Sequence, residues 1–207
     1  MNAFDMITDK PDLLIDAGAG VPNSEAWEFT KKFGGRVIGF EPCVERYNDL
    51  LQNSYPGQLY NLALSDGSVP KSFYRLHESY NSGFYWDANE CCHFVDGKPE
   101  SQLIFPRELD DFYDEFNSTN AVLWIDVEGA ELEILRGAGL VLLKVVKYVV
   151  AELRPNPTAP GWCRDTEVDE ELRKYGFKMT AWSDPKDPNT LHYDALFVKE
   201  GVAGEAM

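Results

Sequence analysis

The run Leu123-Trp124-Ile125-Asp126-Val127-Glu128-Gly129-Ala130-Glu131, an apolar stretch ending in three acids around a glycine, constrains this chain more than any other feature. A second run has the same form, Leu13-Leu14-Ile15-Asp16-Ala17-Gly18-Ala19-Gly20. Short apolar runs that stop at acid and glycine read as buried strands, and open parallel sheets bind ligands just beyond the carboxyl ends of their strands. The two runs are read as strand ends of one α/β sheet whose ligand-facing edge is acidic.

The spacing between the two runs fits that sheet. It predicts a strand over 13–16, a helix over 24–33 with Trp27, Phe29 and Phe33 toward the sheet, a strand over 37–41, a helix over 44–51 and a strand over 59–64. Such β-α-β-α-β succession implies parallel pairing with right-handed crossovers. Residues 69–107 break the rhythm: strands over 72–76 and 102–105 flank a run rich in aromatic, Asn, Gly and Cys residues. A stretch of that length without periodicity is expected to be a lid or substrate insertion, with aromatic packing on the sheet edge as the alternative. Beyond it come a helix over 108–116, the strand over 123–127, a helix over 130–136 and a near-continuous apolar strand over 145–153. A helix over 166–175 and closing strands over 177–183 and 195–199 complete a single domain spanning 1–207.

Charge narrows the partners. The chain has 35 acidic and 19 basic residues among 207, a formal charge of -16, which repels nucleic-acid phosphates and anionic membrane surfaces. No apolar run approaches the ~20 residues of a membrane span, and no basic segment leads into an apolar one at the start, so a cytoplasmic protein is expected. Cys43, Cys91, Cys92 and Cys163 lack a C-x-x-C spacing and read as reduced thiols. Adjacent Cys91 and Cys92, with His93 and His77, fit tetrahedral metal spacing poorly, and no metal site is assigned.

At the first strand end, Gly18 and Gly20 allow a tight turn that brings backbone N–H groups close to a ligand. Asp16 there would repel a pyrophosphate but can hold an ammonium, and Val21-Pro22-Asn23 stands where the dinucleotide fingerprint has its third glycine. Glu41, closing the second strand, can accept hydrogen bonds from both hydroxyls of a ribose. Residues 61–66, including Ala63 and Ser65, border an adenine or form an ordinary turn. Asp126 and Glu128 point to one side of an extended strand, while Glu131 falls in a first helical turn, where a carboxylate also caps exposed N–H groups. Clustered carboxylates of this kind serve as a general base, as ligands of a divalent metal or as counter-ions to a cationic ligand. Glu152 reaches the same edge or pairs with Arg154, and His192 is a candidate proton acceptor from the closing hairpin. Tyr85, Trp86 and Trp162 suit stacking on an acceptor ring as well as they suit packing.

As a set, these residues resemble the FkbM family of S-adenosylmethionine-dependent methyltransferases. The most specific part is Ile125-Asp126-Val127-Glu128-Gly129-Ala130-Glu131-Leu132-Glu133-Ile134-Leu135-Arg136-Gly137, with Phe40-Glu41-Pro42, Asn61-Leu62-Ala63-Leu64-Ser65-Asp66 and Glu108-Leu109-Asp110-Asp111-Phe112 as weaker blocks. The resemblance implies a Rossmann-like seven-stranded sheet in the order 3-2-1-4-5-7-6 with the seventh strand antiparallel. It implies S-adenosyl-L-methionine as cofactor, held by Asp16, Gly18, Gly20, Glu41, Ala63, Ser65 and Asp126. It also implies methyl transfer to a hydroxyl of a sugar or secondary metabolite, a small-molecule or glycan acceptor, served by Asp126, Glu128 and His192. Two other readings stay open on the residues alone, a nicotinamide-dependent oxidoreductase and a non-catalytic nucleotide-binding or interaction module.

Overall fold

The computed structural model describes residues 3–75, 100–157, 161–182 and 192–200. A 3-10 turn (Ala3–Met6) leads to β1 (Leu13–Ala17), α1 (Glu25–Phe33), β2 (Arg36–Phe40), α2 (Val44–Gln52) and β3 (Gln58–Tyr60). The paired strands β4 (Lys71–Arg75) and β5 (Glu100–Ile104) follow, then α3 (Tyr113–Phe116), β6 (Ala121–Ile125), α4 (Glu131–Arg136) and α5 (Gly139–Lys144). β7 (Val146–Leu153), α6 (Asp165–Arg173), β8 (Phe177–Trp182) and β9 (Tyr193–Lys199) close the fold. The main sheet runs β3-β2-β1-β6-β7-β9-β8, with β4 and β5 forming a separate antiparallel pair. Counted along the main sheet alone this is 3-2-1-4-5-7-6, the expected order. Its last strand in sequence, β9, runs antiparallel to both neighbours.

β1 and β6 are buried at every position, as strands covered on both faces must be. Their alternate residues feed two cores. Leu14, Trp124 and Val150 pack beneath α1 with Phe4, Phe29 and Phe33, while Ile15, Leu123 and Val149 pack on the other face with Phe116, Leu135 and Leu172. The Phe4 ring lies 5.0 Å from that of Trp124 and 5.8 Å from that of Phe29, so the initial 3-10 turn seals the α1 side. α1 stops because Gly34 takes φ +70, closing its last turn through a bond from its N–H to the Thr30 carbonyl. Trp27 lies half-buried at the edge of that core, its ring edge-on to Tyr55 at 5.4 Å.

Several boundaries differ from those expected. The strand ending in the acid cluster stops at Ile125, so Asp126 and Glu128 lie in a turn and not on one side of an extended strand. The reason is local: Glu128 and Gly129 both take positive φ, +56 and +100, which no strand continues through. The third strand ends at Tyr60, because Asn61 leaves the ladder and donates from its side chain to the carbonyls of Glu41 (2.8 Å) and Pro42 (3.2 Å). The helix expected over 108–116 is a 3-10 turn (Leu109–Phe112) running into the short α3. Within it, Asp110 accepts from the N–H groups of Leu140 and Val141 at 2.9 Å each, capping α5, a helix too short for periodicity to reveal.

The aromatic run of the insertion, Cys91, Cys92, His77 and His93 lie outside the described residues. Among the described residues, no helix is long and apolar enough to cross a membrane.

Candidate active site

A cavity of about 930 Å³, including its open mouth, lies over the carboxyl ends of β1, β2 and β6. Gly18, Glu41, Ala63, Phe73, Asp126 and Glu128 are among its walls. Gly18 lets the β1 and β6 ends meet there: it takes φ +87, and a Cβ on it would stand 2.1 Å from the Asp126 carbonyl oxygen. Gly20 also takes a left-handed conformation, φ +62.

The glycine loop does not offer its amides to a ligand. The N–H groups of Gly18 and Ala19 both donate to the Phe40 carbonyl at 3.0 Å, and that of Gly20 donates to Glu41 Oε2 at 3.0 Å. Glu41 Oε1 takes a fourth amide, that of Cys43, at 2.7 Å. A pyrophosphate needs such groups free. The loop is therefore a scaffold for the Glu41 carboxylate, whose oxygens keep lone pairs for further donors.

Four acids and one base, Arg46, supply the charged side chains of the cavity wall among the described residues. The acids are Glu25, Glu41, Asp126 and Glu128. Burial raises the carboxyls of Glu25 and Glu41 above their ordinary values. Asp126 is exposed to the cavity, and the protein crowded around it, with the charges of Glu152, Glu128, Glu25 and Glu131, pushes its carboxyl well above the usual range. Glu128 is pushed up to about 7 by burial and Glu152, against the pull of Arg154. Leu62, Ala63, Leu64, Phe73 and Ile134 supply an apolar part of the lining. A lining of both acids and apolar side chains suits a ligand that carries positive charge together with apolar surface.

Behind Asp126 the carboxylates gather on a cation. Carboxylate oxygens of Asp126, Glu128 and Glu152 lie within 4.8 Å of one another. Arg154 donates to Glu128 Oε2 at 2.8 Å and to Glu152 Oε2 at 3.0 Å, and its guanidinium lies 4.3 Å from the centre of the Trp162 ring. Its other terminal nitrogen is 3.4 Å from His192 Nδ1.

Of the residues singled out in the sequence, Gly18, Gly20, Glu41, Ala63, Asp126 and Glu128 line the cavity. Asp16 is fully buried beneath it and accepts from the Tyr55 hydroxyl at 2.7 Å, with its second oxygen unpartnered. The Ser65 hydroxyl is taken up by Lys71 and Glu133, tying the base of β4 to α4. Glu131 accepts from the N–H of Gly129 and from Cys163, steadying the turn. His192 is more than half exposed, with Nε2 at 3.5 Å from Glu152. Cavity residues not singled out include Ser24, Glu25, whose place in a first helical turn reads as a complement to the helix dipole, Arg46 and Phe73.

The sheet order and a cavity over the carboxyl ends of its central strands define a protein of the Rossmann-like methyltransferase fold. Residues 16–179 match the methyltransferase FkbM domain, and the chain belongs to the FkbM methyltransferase family. Among solved structures, a methyltransferase FkbM from Methylobacillus flagellatus superposes with a TM-score of 0.53 at 14% identity, covering 94% of this chain and 45% of that one. This chain thus spans less than half the length of that relative. Magnesium protoporphyrin IX methyltransferase from Synechocystis, with bound S-adenosylmethionine, gives 0.51 at 11% identity, over 92% of this chain and 71% of that one. Aeropyrum pernix fibrillarin, also with S-adenosylmethionine bound, gives 0.51 at 12% identity over 92% and 67%. At these identities the likeness is one of fold. No curated protein matches the chain in sequence.

Proposed function

We propose that the chain is an S-adenosylmethionine-dependent methyltransferase that methylates a hydroxyl of a sugar or other small metabolite. The observation that carries the cofactor reading is the closed glycine loop: with the amides of 18–20 spent on Phe40 and Glu41, the site favours a ribose and a positive charge over a pyrophosphate. Glu41 accepts from the ribose hydroxyls, the wall from Leu62 to Leu64 with Phe73 takes the adenine, and Glu25 and Asp126 compensate the positive charge at the other end. When bound, the cofactor supplies an electrophilic methyl group on a sulfonium.

The protein's part is alignment, exclusion of water and a place for the proton. An alcohol is barely ionised near neutral pH, so its attack gains from a base. Asp126 fits that role: its carboxylate faces the cavity and, among the described residues, has no hydrogen-bond or ion-pair partner. Burial and the neighbouring acids raise its carboxyl, which makes it a stronger proton acceptor than an ordinary carboxylate. Glu128 shares the wall but is engaged by Arg154, and the exposed His192, outside the cavity wall and 3.5 Å from Glu152, offers a route by which the proton leaves. Phe73 of β4 lines the cavity, which supports a substrate role for the insertion that follows it.

Calorimetric titration with S-adenosylhomocysteine and with NAD tests the reading. Saturable binding of the first, weakened about tenfold or more in Glu41→Gln by loss of charged ribose hydrogen bonds, is expected. Binding of NAD without S-adenosylhomocysteine would refute it.

A further inference from the structure

Arg154 bonds two acids of the cluster behind the cavity, and this arrangement bears on the methyl transfer proposed above, on which the inference rests. We propose that Arg154 is a positioning residue for that transfer: it holds Glu128 and Glu152 to itself and leaves Asp126 as the unengaged carboxylate presented to the acceptor.

The contacts close into a ring. Glu128 sits at φ +56, a conformation residues with a Cβ rarely adopt, and its carboxylate reaches Arg154 at 2.8 Å. The next residue must be glycine, because a Cβ on Gly129 would stand 2.3 Å from Cδ1 of Trp162. The Trp162 ring in turn carries the Arg154 guanidinium at 4.3 Å, and Arg154 returns to Glu128. Four residues from two separate segments therefore fix one another. Arg154 is 7% exposed and Glu128 15%, so neither is free to swing into solvent.

The charge arithmetic points the same way. Three carboxylates with oxygens within 4.8 Å cannot all stay ionised without a cation among them. One nitrogen of Arg154, Nη2, donates to both Glu128 and Glu152 while Nη1 lies 3.4 Å from His192 Nδ1, so the guanidinium is held at two points where a lysine ammonium offers one. The groups facing Asp126 are Glu25 from α1, Glu128 of its own turn, Glu131 from α4, and Glu152 at the end of β7. Beyond Glu152, His192 stands at the head of β9. Arg154 is a base bonded to two of these acids, and removing its charge leaves Asp126 to absorb the repulsion.

Carboxyl NMR titration of the full chain, labelled at Asp and Glu and assigned through Asp126→Asn, reads this without knowledge of the acceptor. In Arg154→Met, the Asp126 titration is expected to move up by at least one pH unit; in Arg154→Lys, by less. An Asp126 titration unmoved in Arg154→Met, or moved as far by Lys as by Met, would overturn the proposal. If Arg154→Met does not fold, Arg154→Lys decides alone: an upward shift of half a unit or more supports the role, and no shift refutes it. Binding of S-adenosylhomocysteine to the parent chain, measured alongside, reports on the cofactor reading only, so the two can fail separately.

Discussion

Gly18 meets the backbone of Asp126 with no space between them: a Cβ on Gly18 would lie 2.1 Å from the Asp126 carbonyl oxygen, and Gly18 holds φ +87. The glycine loop and the acid turn are thus one contact, not two neighbouring features. Gly18→Ala combines a strained backbone with an overlap against main chain, which nothing short of moving a strand end relieves. A loss of roughly 2–4 kcal/mol is expected in urea denaturation, with weaker S-adenosylhomocysteine binding by the folded fraction. An alanine variant with an unchanged midpoint would show that the loop is free to relax.

Asp16 gives stability a definite dependence on pH. Its carboxyl is pushed up to about 7 by burial and by the charges of Glu25 and Glu41, against the hydrogen bond from Tyr55. In the unfolded chain it titrates near 3.9, so between about pH 4 and pH 7 the folded protein keeps a proton that the unfolded chain has lost. Stability therefore falls as pH rises through that window, by up to ~4 kcal/mol from this group, and stays low above it. Asp16→Asn should flatten the slope across the window in urea titrations at several pH values. Tyr55→Phe removes a donor to the ionised form and should extend the slope to higher pH. Part of the slope should remain, from Glu128 and the other raised acids of the cavity; a slope undiminished in Asp16→Asn would assign all of it to them.

Glu152 should govern the titration of Glu128. The Glu128 carboxyl stands at about 7 because of burial first and the Glu152 charge next. Glu152→Gln removes that repulsion and leaves Arg154 to Glu128, and both changes favour ionisation. A downward shift of about one unit or more is expected by carboxyl NMR. No shift would mean that solvent screens the pair.

Phe29 anchors α1 over the sheet, fully buried with Phe4 and Phe33 against it. Phe29→Ala should cost about 3–5 kcal/mol, read as a lower denaturation midpoint at similar m. Because Phe29 is no part of the cavity wall, the folded fraction should bind S-adenosylhomocysteine as the parent does. A cost under about 1 kcal/mol would show that the aromatic cluster repacks into the gap.

The apolar runs were enough to locate the main strands, since each buried strand is a short continuous run that local sequence cannot disguise, while their order in the sheet rests on the family resemblance. Glu41, Gly18 and Asp126 could be assigned to one edge because strand ends in a parallel sheet converge there. What could not be read lies in turns and across distance. The stop at Ile125 depends on the left-handed Glu128, and nothing in the residue type announces that conformation. The destination of the loop amides depends on where Phe40 falls in three dimensions. Arg154 and Trp162 meet Glu128 from another segment, so no spacing reports them. Asp16 is an intermediate case: alternation along β1 places it on the same face as Leu14, which is the α1 side, where Tyr55 waits.

The closed glycine loop also bears on how a ligand would be received. A loop whose N–H groups are already satisfied by Phe40 and Glu41 is a preformed socket, with its torsions settled before anything enters. Occupancy then requires little backbone ordering there, and the affinity is set by fit and desolvation.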